Sequence, residues 1–128
     1  MARPQKKGLD YFPHDTDLSS DDKLLLLEAD HGMTGYAVYV KLLEKIYREG
    51  YFLYFDDRVS KLFSRLNGIE IAVCEGILKS CLQEGLFDKK IYNKFKILTS
   101  HGIQKRYLEA CRRKRKITLN DAITLVDV

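Results

Sequence analysis

Lysine and arginine are the side chains whose spacing most clearly suggests a chemistry, because they concentrate at three places in this 128-residue sequence. One group lies in the N-terminal arm, a second follows residue 88, and a third ends the last predicted helix. Such side chains neutralise phosphates, and those contacts give affinity and position but carry little sequence information. We therefore predict DNA, duplex or single-stranded, as the partner. The predicted DNA-binding residues are Arg3, Lys6, Lys7, Lys79, Lys89, Lys90, Lys94, Lys96, Lys105, Arg106, Arg112, Arg113, Lys114, Arg115 and Lys116.

The distribution of charge favours this prediction more than the total does, since the formal net charge is only +4. Residues 105–116 carry seven bases against one acid, whereas residues 13–32 carry six acids against one base. An uneven distribution of this kind favours a polyanionic partner at one end of the molecule. It is also typical of a solvated surface, and the sequence leaves that alternative open.

Catalytic and metal-binding constellations are not indicated. The three histidines, His14, His31 and His101, are far apart in the sequence, and none has a second ligand at a metal-binding spacing. Ser100 and His101 are adjacent, but a nucleophile and its base are recognised by geometry in space, not by adjacency. There is also no glycine-rich phosphate loop. We therefore expect no enzyme activity, no catalytic residue, no cofactor and no metal site.

The cysteines and the apolar runs indicate the cellular compartment of the protein. The three cysteines are odd in number and form no Cys-x-x-Cys pair, and Cys74 and Cys81 lie on the apolar stripe of a predicted helix. This usage favours small buried hydrophobes in a reducing cytosol over a disulfide scaffold. No apolar run approaches the ~18 residues of a membrane helix, and the polar N-terminus is not that of a signal peptide. We expect a cytoplasmic protein without a membrane span.

The elements that must position the basic groups are organised around a pair of helices between residues 56 and 84. Asn67 and Gly68 end the first helix, and the second runs over residues 69–84 until Gly85. Their apolar stripes are Val59, Leu62, Phe63 and Leu66, then Val73, Cys74, Ile77, Leu78, Cys81 and Leu82. From these we expect Leu62, Phe63, Ile77, Leu78 and Leu82 to be buried together. The pattern is typical of a helix-turn-helix, and a plain helical hairpin is the alternative.

Upstream of this pair the sequence predicts two further helices. The predicted elements, in chain order, are an apolar docking segment at 9–13, a helix at 21–31, a helix at 35–49 and a strand at 51–55. Ser19 or Ser20 is expected to cap the first helix and Thr34 the second. The four leucines of residues 24–27 cover more than one helix face, so this helix is expected to be well buried or paired, with pairing across a two-fold axis.

Downstream, short strands at residues 86–87 and 97–99 are expected to pair around a basic wing. Ser100 is expected to cap a last helix with a basic end, and residues 117–128 form a tail of uncertain state. Tyr92 and Phe95 in the wing either stack on unpaired bases or pack on the core.

The second helix of the pair carries Glu70, Glu75 and Glu84 against one base, Lys79. Phosphates repel such a helix, and no arginine is present on it to grip guanine. The basic groups elsewhere are therefore expected to make the contacts, while the acidic helix favours a protein partner.

Three longer motifs add a family resemblance: ARPQKKGLDYFP, GYAVYVKLLEKIYREGYFL and ILTSHGIQKRYLEACRRKRK. Together they resemble the N-terminal domain of phage- and mobile-element replication proteins, over about residues 1–116. Those proteins are similar to the DnaD-like replisome organisers of bacteria with low-GC genomes and to uncharacterised Listeria and Bacteroides relatives. The resemblance implies a winged-helix DNA-binding or assembly module, often followed by a second domain that engages the replication machinery.

The sequence as a whole predicts a mainly α fold with a small β-wing, a winged helix-turn-helix with an extra N-terminal helix and a basic C-terminal helix. Residues 1–20 are a basic arm and docking segment, residues 21–116 the winged-helix domain, and residues 117–128 the tail. The expected function is a weakly sequence-specific DNA-binding or assembly module of a phage-type replication initiation protein. Its partners would be DNA, replication proteins and further copies of the chain. The alternative is a protein-interaction domain, for oligomerisation or as an adaptor, that does not bind DNA directly.

Overall fold

The computed structural model describes residues 8–12, 14–16, 21–111 and 119–126. Within them the chain is mainly helical, with one short antiparallel sheet. The elements are α1 (Asp22–His31), α2 (Met33–Glu49), β1 (Leu53–Tyr54), α3 (Asp57–Leu66), α4 (Ile71–Gln83), α5 (Lys89–Phe95), β2 (Ile97–Leu98) and α6 (His101–Cys111). The predicted mainly α fold with a little β-structure is confirmed. No described helix is both long and apolar enough to span a bilayer.

The helices α1 and α2 form a hairpin about Gly32. The backbone of Gly32 adopts φ 68°, a region that glycine enters without steric cost, and its N–H donates to the Glu28 carbonyl at 2.6 Å. The N-cap of α1 is Asp21, whose carboxylate accepts from the Lys23 N–H. Capping by Ser19 or Ser20 is therefore wrong, because Asp21, the next residue along the chain, is the N-cap and its carboxylate makes the capping bond.

Helix α2 begins two residues earlier than predicted. Gly32 is its N-cap without a side-chain hydrogen bond, so Thr34 lies inside the first turn and is not the cap. The glycine turn between α1 and α2 leaves no room for a separate capping loop.

Helix α3 turns a different face inward from the one its apolar pattern predicts. Phe63 is buried, but Leu62 is 60% exposed and Leu66 is 74% exposed. Ser60 and Ser64 are buried instead, and the Ser64 hydroxyl donates to the Ser60 carbonyl at 2.9 Å. Small side chains on this face allow close packing. The prediction that Leu62 belongs to the buried cluster is therefore wrong.

Helix α4 follows the prediction more closely. Its buried residues are Cys74, Ile77, Leu78 and Cys81, and Leu82 packs partly buried against the same core. Val73 is the exception, since it lies on the exposed side. Gly68 and Gly85, both with positive φ, follow the ends of α3 and α4 as expected.

The basic wing is not present as such. Residues 89–95 form helix α5, because the Asp88 carboxylate accepts from the Ile91 N–H at 2.9 Å and caps the first turn. Lys96 ends the helix in the left-handed conformation and lets the chain turn into β2.

The short sheet is formed differently from the prediction. Strand β2 pairs with β1, with Leu53 opposite Leu98 and Tyr54 opposite Ile97. The strand expected at residues 86–87 is wrong, since neither residue lies in a strand and the Leu86 N–H donates to the Cys81 carbonyl. The Asp88 N–H, next along the chain, donates to the Thr99 carbonyl. That single bond holds the segment beside β2 without a ladder.

The segment before α1 docks on α2, as the apolar residues there predict. The Leu9 N–H donates to the Tyr47 carbonyl at 2.8 Å, and the Phe12 ring stacks on Tyr47 with centroids 5.0 Å apart. A Cβ at Gly8 would overlap the backbone carbonyl of Arg48, so the contact requires glycine there.

The described part of the tail packs against α6. Leu119 and Ile123 are buried. The buried Gln104 carboxamide donates to the Ile123 carbonyl at 2.8 Å and accepts from the Leu125 N–H at 2.7 Å. It also donates to the Thr99 hydroxyl at 3.2 Å. One polar side chain of α6 therefore fixes both the end of β2 and the tail.

Candidate nucleic-acid interface

Helix α4 is the second helix of the predicted helix-turn-helix, and its solvent side is poor in cations. Its exposed residues include Glu75, Lys79 and Gln83, and Glu70 is its N-cap residue. An acidic N-cap lies where a helix would otherwise attract phosphate, so it disfavours entry of this end into a DNA groove. On another side, the His31 ring nitrogen lies 2.7 Å from the Ser80 hydroxyl and joins α1 to α4.

A cleft of about 330 Å³ separates α4 from the first turn of α3 and from α5. Its lining includes Asp57, Glu75, Lys79, Lys89 and Tyr92. Burial raises the pKa of Tyr92, and the nearby carboxylates of Asp57, Asp56 and Glu75 raise it further. Carboxylates thus lie near the Tyr92 hydroxyl, and with Lys79 and Lys89 also in the lining the cleft carries charges of both signs.

Helix α5 and the residue that ends it present the densest group of predicted DNA contacts among the residues that the structure describes. Lys89, Lys90, Lys94 and Lys96 are all exposed, and the helix contains no acid. The Lys94 ammonium lies 5.3 Å from the Phe95 ring centroid, and that of Lys96 lies 4.8 Å from the Tyr92 ring centroid. Cation–π contacts of this kind hold lysine stems against a surface while the charge stays solvated.

The two aromatic residues of this segment pack on the protein. Tyr92 and Phe95 are both partly buried, Tyr92 against the main core and Phe95 against a smaller cluster around Ile91, Ile97 and Ile123. Of the two alternatives for these rings, packing on the core is therefore the one observed.

The two predicted contacts on α6 differ from each other. Lys105 is exposed, whereas Arg106 is half-buried and its guanidinium faces the Tyr47 hydroxyl. Burial raises the pKa of Tyr47, and the charge of Arg106 partly offsets that effect. Arg106 thus interacts with the core and presents less of its charge to an external phosphate than Lys105 does.

Eight of the predicted contacts lie outside the described residues. These are Arg3, Lys6, Lys7, Arg112, Arg113, Lys114, Arg115 and Lys116. The structure brings Lys79 and Lys89 together at one cleft, and α5 groups Lys89 with the other three lysines of residues 89–96.

One basic group escaped the sequence reasoning. Arg58, Lys61 and Arg65 on α3 are all exposed. Their spacing of i, i+3 and i+7 places them on one helix face, and that spacing is visible in the sequence.

The buried thiols include one with a strongly raised pKa. The three cysteines are free and buried, and burial together with the neighbouring Cys74 thiol raises the pKa of Cys81 to about 12. A thiol with so high a pKa is inert as a nucleophile at neutral pH. Among the residues that the structure describes, no three His, Cys, Asp or Glu side chains converge as a metal site would require.

Comparison with known proteins shows which family the chain belongs to. The family model described as "Lin1244/Lin1753-like, N-terminal" matches residues 11–103. The chain belongs to this family. The matched range holds α1 to β2, including the α5 lysines, whereas residues 112–116 lie beyond it.

One member of the Lin1244/Lin1753-like family shows how much of such a protein the chain represents. The chain is 40% identical over 126 residues to the "Uncharacterized phage-related protein Lin1244/Lin1753" of Listeria innocua serovar 6a (strain ATCC BAA-680 / CLIP 11262). The alignment covers 98% of this chain and 41% of the relative, so the chain spans about two-fifths of that protein's length. No solved structure matches the chain.

Proposed function

We propose that this chain is a DNA-binding and assembly module of a phage-type replication initiation protein, which grips DNA through phosphate contacts and reads little sequence. The observation that carries the proposal is helix α5, where four exposed lysines stand within residues 89–96 without an acid among them. The phage-related name of the Listeria innocua relative supports the phage setting. The module would act by binding, without catalysis and without a cofactor.

We interpret the fold as a winged helix-turn-helix in which α5 takes the place of the wing. The order from α2 to β2 supports this, because a helix, a strand, three helices and a returning strand follow one another, with α5 as the third of those helices. The pairing of β1 with β2 closes the unit in the same way. In this arrangement α5 lies beside α4, so its lysines can reach the phosphates of a duplex while acidic α4 stays out of the groove.

The test is a titration of fluorescently labelled duplex and single-stranded DNA with substituted proteins at two salt concentrations. The double variant Lys90→Ala/Lys94→Ala, one α5 face at i and i+4, should weaken binding to all sequences alike and flatten the salt slope by about one unit per lost contact. The triple variant Arg112→Ala/Arg113→Ala/Arg115→Ala should act in the same way.

Two matched variants sharpen the test. Lys79→Ala, on α4, should matter less than the α5 variant, and Glu75→Lys should tighten non-specific binding by removing a repulsion. Lys41→Ala on α2 is the control, since Lys41 is also exposed but lies outside the basic groups. Loss of binding in Lys79→Ala with normal binding by the α5 and triple arginine variants would make α4 the reader and overturn the proposal.

A second candidate function is a protein-interaction module that does not touch DNA. It is favoured by the cleft between α3, α4 and α5, where Asp57 and Glu75 stand beside Leu78 and Leu82. Carboxylates at the rim of an apolar cleft fit a basic, partly apolar peptide. Lack of DNA binding at low salt by a folded protein would favour this function over the first.

A further inference from the structure

Helix α1 leaves one apolar and acidic face uncovered. Asp22, Leu25, Leu26, Ala29 and Asp30 are all exposed and recur at i, i+3, i+4, i+7 and i+8, which is one face of a helix. Leu25 is 46% exposed and Leu26 is 51% exposed. We call this face the α1 stripe. The buried leucines of the helix, Leu24 and Leu27, lie on its other side.

Helix α3 leaves an apolar and basic face uncovered with the same spacing. Arg58, Lys61, Leu62, Arg65 and Leu66 are all exposed and again recur at i, i+3, i+4, i+7 and i+8. We call this face the α3 stripe. Each stripe has two leucines and spans about 12 Å along its helix, so the two faces match in length. Their charges are opposite, since one stripe carries aspartates and the other lysine and arginine.

The two stripes cannot meet within one molecule, because α4 lies between their helices. Ser80 of α4 bonds His31 of α1, whereas Glu75 of α4 lines the cleft that Asp57 of α3 also lines. Ser80 and Glu75 are five residues apart and therefore point about 140° apart around the helix axis. The stripes are the exposed faces of two helices that both pack on α4.

We propose that the α1 stripe of one copy binds the α3 stripe of a second copy, so that the chain associates head to tail. Leucines would pack on leucines at the centre, and the aspartates of one copy would lie near the arginines and lysine of the other. A two-fold contact of α1 with α1, which the sequence predicts, would bring aspartates against aspartates. Contact of α3 with α3 would oppose three cations to three.

A head-to-tail contact uses two different patches, so two copies joined by one contact still present one free patch of each kind. Such a contact builds an open row or a ring, whereas a two-fold contact stops at a dimer. The inference does not depend on DNA binding, because α5 belongs to neither stripe. If both hold, successive copies would present their α5 lysines repeatedly along one DNA.

The test is sedimentation velocity on two variants, singly and mixed, over a wide concentration range without DNA. Leu26→Glu disables the α1 stripe and Leu62→Lys disables the α3 stripe. The unchanged protein should form species larger than a dimer as concentration rises. Each variant alone should stay at the 14.9 kDa of one chain. Their equimolar mixture should form a heterodimer and nothing larger, because each variant keeps the stripe that the other lacks.

The other outcomes overturn the proposal. A monomeric unchanged protein at the highest attainable concentration would exclude the contact. Dimers of Leu62→Lys alone would indicate an α1–α1 contact, and dimers of Leu26→Glu alone an α3–α3 contact. A mixture that stays monomeric, while the unchanged protein associates, would place the interface elsewhere. The control is Tyr11→Ser, since Tyr11 is 88% exposed but belongs to neither stripe, and it should associate normally.

Charge reversal supplies a second pair of variants in case either leucine variant unfolds on heating earlier than the unchanged protein. Asp30→Lys and Arg65→Glu each replace one exposed charge and leave every leucine in place. Each alone should associate more weakly, and an equimolar mixture should recover association, because the stripe that carries the new lysine can then bind the stripe that carries the new glutamate. Failure of the mixture to recover any association would contradict the charge pairing.

Discussion

Replacement of Gln104 by leucine should destabilise the protein by about 3 kcal/mol. Leucine has nearly the volume of glutamine but removes three hydrogen bonds, to the Ile123 carbonyl, the Leu125 N–H and the Thr99 hydroxyl. Each such bond is worth about 1 kcal/mol net, and a buried partner left unsatisfied costs about 1–3 kcal/mol. Leu125 is only half-buried, so water can partly replace the hydrogen bond of its N–H. The total loss of stability is therefore expected near the low end of this range, at about 1 kcal/mol for each of the three bonds.

The measurement is urea unfolding followed by far-ultraviolet circular dichroism. The matched control is Gln83→Leu, because Gln83 is an exposed glutamine on α4 and its change should stay within about 0.5 kcal/mol. The tail of Gln104→Leu should also be cut faster by a protease while α1 to α6 remain intact. A loss below about 1 kcal/mol, or an unaltered rate of tail cleavage, would refute the conclusion that Gln104 holds the tail.

Three further predictions test the packing of the core, the ionisation of a buried thiol and the docking of the N-terminal segment. In urea unfolding, Ile77→Ala should lower the free energy of unfolding by about 2–5 kcal/mol, because Ile77 is buried. Leu62→Ala should lower it by less than about 1 kcal/mol, because Leu62 is exposed although it belongs to a predicted apolar stripe. Equal losses would contradict the observed α3 orientation. Because burial raises the pKa of Cys81 from 9.0 to about 12, its unfolded thiol ionises first. The contribution of Cys81 to stability should therefore be constant below pH 9 and should fall between pH 9 and pH 12, by about 1.4 kcal/mol per pH unit. The loss of stability over this range should be smaller in Cys81→Ala, and the same loss in both proteins would refute that origin. Gly8→Ala should lower stability by about 1–3 kcal/mol, because the methyl group meets the Arg48 carbonyl, and an unchanged unfolding midpoint would show that the segment docks differently.

Local rules were enough to locate most helices from the sequence. The Asn67–Gly68 turn and the Ser100 cap are both as predicted, since each depends on the chemistry of one or two neighbouring residues. The buried face of α4 was also largely predictable, because many apolar residues recur along it at helical spacing and are too numerous to be left exposed.

Features that depend on distant partners were not predictable. Strand β2 has two possible partners of similar apolar character, and only the tertiary fold selects Leu53–Tyr54 over residues 86–87. Helix α3 buries Ser60 and Ser64 and leaves Leu62 and Leu66 exposed, an orientation set by tertiary packing that no property of α3 alone reveals. The docking of the tail depends on Gln104, a polar residue whose three partners are 5, 19 and 21 positions away.

The candidate site was predictable in its composition but not in its shape. The lysines of residues 89–96 were identified from the sequence, yet they lie on a helix capped by Asp88 and not on a wing. The basic face of α3 was missed, although the spacing of Arg58, Lys61 and Arg65 shows it.

The salt dependence of DNA binding by the unchanged protein tests the central claim most directly. For two duplexes of unrelated sequence, the logarithm of the association constant should fall linearly with the logarithm of salt concentration, by about 0.9 unit for each phosphate contact. The account predicts the same steep slope and similar affinity for both duplexes. Absence of binding at low salt, or binding that salt does not weaken, would contradict it.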